Sequence, residues 1–334
     1  MKKILGLFLV LTLTAFIVVG YLAEGVSAKD EVVLLFSHDN HPGDPVQEAA
    51  LYWAELVEKE SNGTLKIKVF PSGQLGSKSD LIDQMLAGDS IVAIGNGPFY
   101  ADRGAPDLGI MQAPYLFESW EQLDKLVESD WMRGQERLLE QNGLKIIAHN
   151  WRYGTRHTLT TSPVKKPEDL KGMKIRTQSS TVHIKGFEAL GATPTPMTLN
   201  DVYTALQQGI IEGVENPLSV LYSGKFQEVA KYLMLDGHIR DLSSIVISYD
   251  FFNSLTKQQQ NILMDTCKKA GLYHNELAEK AEQESLRLLQ EEGVKVTEVD
   301  YTDFQKAAES FYSDPKIQAL FSDGLVEQIR QIIE

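Results

Sequence analysis

The sequence predicts an α/β fold built as two lobes. Three observations support this: short apolar runs alternate with amphipathic stretches from Glu31 onward, the local charge balance changes after Trp151, and a helical pattern without proline runs from Thr256 to about Glu292. At 334 residues, 43% hydrophobic and 23% charged, the chain has the ordinary globular mixture and enough length for two packed lobes.

The alternation opens with EVVLLFS, read as a buried strand, followed by a helix entered at Asp44. Asp44 can cap, Pro45 suits the first helical position, and Gln47 completes a capping-box spacing. Val46, Ala49, Ala50, Trp53, Leu56 and Val57 then share one face, and Asn62-Gly63 stops the helix. TLKIKVF reads as the next strand, residues 78–87 as a helix, and SIVAIG as a third strand. This β-α-β-α-β order is the signature of a mostly parallel sheet with helices on its faces.

The strand LKIIAHNW closes the first run. Between Arg152 and Arg176 lie seven Lys or Arg against two acids, Glu168 and Asp169, a local positive excess in an acidic chain. That shift marks the second lobe, which continues through the strand MKIRT, a helix over residues 181–190, the proline-rich link TPTPM, a helix over residues 199–208 opened by Thr198 with Asp201, and the strand IEGVE. SSIVIS reads as a further strand before the long helix, residues 256–292, which at about 1.5 Å per residue is long enough to brace two lobes side by side. The expected division is residues 29–152 plus 242–281 for lobe I and residues 153–241 plus 282–334 for lobe II.

MKK, an uncharged apolar run and AEGVSA give the N-terminus the plan of an export signal over residues 1–28, with an uncleaved membrane anchor as the alternative. Removing Lys2, Lys3 and Glu24 takes the formal charge from −14 to −15. A field of that sign repels nucleic acid and anionic lipid, so an anionic ligand requires a local basic patch. The single cysteine, Cys267, makes no disulfide framework and is too far from the signal to carry a lipid.

No G-x-S-x-G, H-E-x-x-H, paired C-x-x-C or Walker-type loop occurs. In SHDNHPGD, His38, Asp39, His41 and Asp44 are close in sequence but match no strong metal motif, so a polar loop at a strand's C-terminal end is the preferred reading. Cys267 and His274 share a face of the long helix and are expected to be packing residues. Arg176 stands out. In MKIRT, Met173 and Ile175 point to the core while Lys174 and Arg176 point the other way, at a strand's C-terminal end. Its planar fork can hold a carboxylate by two parallel hydrogen bonds. From these residues alone, a structural salt bridge and an anion anchor both remain open.

Three segments, GTRHTLTTSPVKKPEDLKGMKIRT, FEALGATPTPMTLNDVYTALQQGIIEGVENPL and KFQEVAKYLMLDGHI, with FPSGQLGSKSDLIDQMLAGD upstream, resemble the solute-binding proteins of tripartite ATP-independent periplasmic (TRAP) transporters. The resemblance covers nearly the whole chain after the signal. It implies a periplasmic-binding-protein-like fold of two α/β lobes, joined by crossing strands and braced by a long helix, that closes over an organic acid and delivers it to membrane-embedded permease subunits. It implies no cofactor, no catalysis and a monomer in the periplasm. It further implies Arg176 as the salt bridge to the ligand carboxylate, with Arg156, Asn216, Asp39, Asn96 and Ser179 as further ligand contacts. The sialate-binding branch carries an acid and an arginine at the places of Asn96 and Phe99 and an aromatic at Leu199. This chain has none of these, so the resemblance points to a smaller sugar acid, a keto acid or a C4-dicarboxylate. The residues leave two other readings: an exported enzyme with Arg176 as clamp and Asp39 as base, or a ligand sensor.

Overall fold

The computed structural model describes residues 31–334, so the export signal expected over residues 1–28 lies outside the described residues. Residues 33–334 group as one unit. Nine strands form a single mixed sheet in the order β2-β1-β3-β8-β4-β7-β5-β6, with β9 against β8. At one flank β1 (Val32–Ser37) lies between β2 (Leu65–Phe70) and β3 (Ile91–Gly95) and runs parallel to β3. At the other, β5 (Lys174–Thr177) lies parallel to both β6 (Thr193–Pro196) and β7 (Gly213–Pro217). The centre is made by β4 (Leu144–Thr160) and β8 (Tyr232–Ser248), two antiparallel strands of 17 residues each; β9 (Lys295–Thr297) follows the first residues of β8.

The flanks are thus the expected parallel sheets, and the join between them is antiparallel. Each central strand outruns its predicted segment, LKIIAHNW or SSIVIS, by half its length or more. The reason is chemical: the missing halves carry Arg156, Thr158, Asp236, His238 and Asp241, all buried, and these break the apolar alternation by which a strand is recognised. TPTPM, expected as a link, forms edge strand β6, where prolines without N–H groups are tolerated because only one side is paired.

Helix α1 (Pro45–Glu60) is capped by Asp44, whose side chain accepts from the Val46 N–H, but the expected capping box does not close. Gln47 Oε1 instead lies 2.8 Å from His38 Nε2. Val46, Ala49, Ala50, Trp53 and Val57 are buried as the periodicity predicts. α2 (Lys78–Leu86) opens with a Ser77–Asp80 capping box. The remaining helices are α3 (Gly97–Ala101), α4 (Trp120–Val127), α5 (Asp130–Gln141), α6 (Thr181–Ala189), α7 (Val202–Gln207), α8 (Leu218–Ser223), α9 (Tyr249–Ser254), α10 (Lys257–Glu291), α11 (Tyr301–Ser313), α12 (Pro315–Gln318) and α13 (Leu325–Ile333). The 35-residue α10, capped reciprocally by Thr256 and Gln259, reaches about 50 Å and packs on α1, β4 and α8. Its Cys267 and His274 are buried, the His274 ring 5.1 Å from that of Trp151. Among the described residues no helix is long and apolar enough to cross a membrane.

The apolar interior divides with the sheet. Leu81, Met85, Ile91, Leu108, Leu123 and Val246 belong to one core, Leu159, Val202, Leu206, Val214 and Leu233 to a second, and Ile175, Phe187, Met234 and Phe304 to a third beside β5. The expected division put residues 282–334 with lobe II. Within that range Leu289, Phe304 and Ala308 pack in the second and third cores, whereas Phe311, Ile317, Leu325, Ile329 and Ile333 pack in the first.

Candidate functional site

A cavity of about 480 Å³ is bordered by residues that follow β1, β3 and β5 and by the middle of β4, β7 and β8. Arg176, Arg156, Asn216, Asp39, Asn96 and Ser179, widely separated in sequence, all line it, as do Phe99 and Leu199. Lys78, Tyr153, Gln178, Asn200 and Asp241 also line it and were not singled out in the sequence.

Arg176 leaves β5 on the face opposite Ile175, which is in the core, as the alternation predicts. Arg176 is only 4% exposed. Nε and Nη2 both donate to the Met197 carbonyl, at 2.9 and 2.8 Å, and among the described residues no carboxylate forms an ion pair with it within 4.0 Å. Three of its five N–H groups are therefore uncommitted. Burial pulls its pKa down to about 10; more distant Glu215 and Asp39 oppose that pull, and Arg156 adds to it. A buried cation lacking a counter-ion is costly, so the structural salt bridge that the sequence left open has no partner here.

Arg156, which the resemblance implies as a ligand contact, is built differently. Nε and Nη2 grip Glu215 Oε2 and Oε1 at 2.5 and 2.8 Å, Nη2 also donates to the Glu215 carbonyl at 3.1 Å, and Nη1 donates to Asp241 Oδ2 at 2.8 Å. Four of its five N–H groups are spent inside the protein. Behind it His238 lies between Glu215 Oε2, 3.2 Å from Nε2, and Asp236 Oδ2, 2.8 Å from Nδ1, and Asp236 accepts from the Thr158 N–H and hydroxyl. These groups sit on β4, β7 and β8, so the salt-bridge cluster ties the crossing strands together beneath the cavity.

Burial would push His238 down, but Asp236 and Glu215 outweigh it and raise its pKa to about 9. Burial would raise Glu215, but Arg156 and His238 outweigh it and hold the carboxyl well below its usual range. The signs give a stability window. The His238 contribution is complete below its unfolded value of 6.5 and is lost as pH rises through about 9; that of Glu215 is present above its unfolded value of 4.5 and is lost in acid. The melting temperature is expected to fall between pH 6.5 and pH 9.5, and His238→Gln to flatten that limb. Calorimetry across this range checks it, and an alkaline limb equally steep in the variant would refute the assignment.

The cavity's rim joins its two walls. The turn of FPSGQLG places Ser72 and Gly73 at positive φ, and Asn200, from the loop after β6, donates through Nδ2 to the Ser72 carbonyl at 3.1 Å. Lys78, in the first turn of α2, lies 4.7 Å over the Phe99 ring and 3.7 Å from Asp39 Oδ2. The four side chains of SHDNHPGD take separate partners. His38 meets Gln47, Asp39 lies near Lys78, His41 is 3.3 Å from the Ser72 hydroxyl, and Asp44 accepts from Val46 and Asn40. Burial lowers the His38 pKa to about 4. Among the described residues no group of three or more His, Cys, Asp or Glu is arranged to hold a metal ion. The arrangement can therefore hold an anion at Arg176 and hydrogen-bond the rest of a polar molecule.

Known proteins resemble this chain over most of its length. The family model described as bacterial extracellular solute-binding protein, family 7, matches residues 36–318. The 2,3-diketo-L-gulonate-binding periplasmic protein of Escherichia coli is 30% identical over 319 residues, covering 95% of this chain and 92% of that protein. Two solved TRAP periplasmic solute-binding proteins superpose closely. One, from Ochrobacterium anthropi with bound L-fuconate, has a TM-score of 0.87 and 38% identity and covers 91% of this chain and 100% of its own. The other, from Actinobacillus succinogenes with bound L-galactonate, has a TM-score of 0.86 and 39% identity, covering 90% and 99%. With a two-lobed fold, a polar cavity between its cores and a family match over most of its length, this chain belongs to the bacterial extracellular solute-binding proteins of family 7, the DctP family of TRAP solute-binding proteins.

Proposed function

We propose that the chain binds a sugar acid in the cavity, seats its carboxylate on Arg176 and delivers it to the membrane permease of a TRAP transporter. The observation that carries this reading is the buried Arg176 guanidinium, with three donors and no counter-ion within 4.0 Å, in a cavity whose other charged groups at its floor, Arg156 and Asp241, are paired inside the protein. Six-carbon sugar acids are the ligands in the two solved relatives, which supports that class. Asn216 and Ser179 hydrogen-bond the acid near its carboxylate, and Asp39 contacts it from the opposite wall. Arg156 is mainly the scaffold of the site, with one N–H left for the ligand. The chain is exported, works without a cofactor, turns nothing over and acts as a monomer. Closure is a population shift: the ligand touches both walls only when they are together, so it favours that form.

The test is a thermal-shift screen of the exported chain against L-galactonate, L-fuconate, keto acids and C4-dicarboxylates. A ligand at about 100 times its dissociation constant adds roughly 2.7 kcal/mol of stability. A shift with sugar acids and recovery of the acid unchanged are expected. No shift with any carboxylate, or release of a product, would overturn the reading.

A further inference from the structure

The cavity holds an unpaired acceptor as well as an unpaired donor. Asn96 is 3% exposed and lines the cavity, and its Oδ1 is buried with no hydrogen-bond partner. Its Nδ2 lies 3.5 Å from Asp241 Oδ2 and 3.5 Å from Gln178 Oε1, the long end of hydrogen bonding. An amide can in principle be turned over, so what matters is which of its two ends the neighbours permit. Asp241 settles this. Its Oδ2 accepts from Arg156 Nη1 at 2.8 Å and its Oδ1 from Gln112 Nε2 at 2.7 Å, so both oxygens of this buried carboxylate face donors and have nothing to give. Turning Asn96 over would set its carbonyl against the Asp241 carboxylate. The N–H end is therefore held toward Asp241, which leaves the carbonyl, on a residue that lines the cavity, without a partner inside the protein.

We propose that Asn96, oriented by Asp241 and Gln112, is a fixed acceptor that selects a hydroxyl-bearing sugar acid over analogues carrying an oxo group at the same carbon. A hydroxyl donates to Oδ1 and satisfies it. An oxo group or a second carboxylate offers only lone pairs and leaves two acceptors facing each other. A site built to accept from a substrate hydroxyl discriminates strongly, because the analogue leaves a buried polar atom unpaired. The nearby His183 does not supply a competing charge. It lies 3.4 Å from Gln178 Nε2 and 3.0 Å from the Ser180 hydroxyl, and burial lowers its pKa to about 3, so it is neutral at the working pH. Gln178 can then receive the second Asn96 N–H without conflict.

This inference rests on Arg176 holding the carboxylate, and the experiment separates the two. Calorimetric titration would compare L-galactonate with its single oxo and single deoxy analogues in the wild type and in Asn96→Leu, Asn96→Ser, Gln112→Leu and Arg176→Ala. The wild type is expected to prefer L-galactonate over at least one oxo analogue by about tenfold or more. Asn96→Leu, or Asn96→Ser if the first does not fold, brings that ratio to within about threefold, and Gln112→Leu shrinks it while binding persists. Arg176→Ala weakens all the acids together. Equal wild-type affinity for every analogue, an unchanged ratio in the Asn96 variants, or no binding of any of these acids by the wild type would overturn the proposal. Normal binding by Arg176→Ala with a ratio that still depends on Asn96 would remove the anchor and leave the selection standing.

Discussion

Arg176→Ala is expected to raise the dissociation constant for the sugar acid by at least about thirtyfold, the equivalent of about 2 kcal/mol. At about 4 Å and an effective dielectric near 20, a guanidinium and a carboxylate attract by about 4 kcal/mol before desolvation is subtracted. In this protein the desolvation of the cation has already been met in folding, since Arg176 is buried with no carboxylate partner. The ligand then recovers more of the attraction than it would from a flexible surface arginine. Arg176→Lys is expected to rescue little. An ammonium cannot both reach the Met197 carbonyl and grip two oxygens in one plane. Stability should move the other way: removing an unpaired buried charge is expected to leave the ligand-free melting temperature unchanged or raised. Wild-type affinity in a calorimetric titration of Arg176→Ala would sink the anchor.

Arg156→Met is expected to act on the fold first. It strands Glu215 and Asp241 in the interior and removes the counter-charge that holds Glu215 ionised, which costs about 3 to 5 kcal/mol. For a chain of this size that is a fall in melting temperature on the order of 10 °C. The double variant Arg156→Met with Glu215→Leu is expected to recover part of the loss, because no acid is then left without its partner. Calorimetry of the ligand-free proteins decides it. An unchanged melting temperature with a thirtyfold loss of affinity would make Arg156 a second anchor instead of a scaffold.

The comparison of these two arginines shows what the sequence could and could not disclose. Strand alternation in MKIRT placed Arg176 away from the core, and the resemblance named it as the carboxylate contact. Nothing in the local pattern said whether a carboxylate from elsewhere in the chain would reach it. For Arg156 one does: Glu215 and Asp241 are 59 and 85 residues away and arrive only through the pairing of β4 with β7 and β8. The same long-range pairing hid half or more of each crossing strand, since buried ions replaced the apolar rhythm there. Local signals fared better. The cap at Asp44 and the reach of the long helix were legible because they depend on neighbours a few residues apart. Lys78, Gln178 and Asp241 gave no such signal, being ordinary polar residues until the fold gathers them.

The bond from Asn200 to the Ser72 carbonyl at the rim has a kinetic meaning. Because it joins protein to protein, its strength is the same whichever acid lies inside, and it cannot discriminate among them. If the walls part to release the acid, it adds the same small barrier, about 1 kcal/mol, for every acid. The rim then bears on how long the walls stay together, while Arg176 and Asn96 bear on the choice. Cargo selection and the rate of hand-over to the permease could therefore be tuned by separate residues.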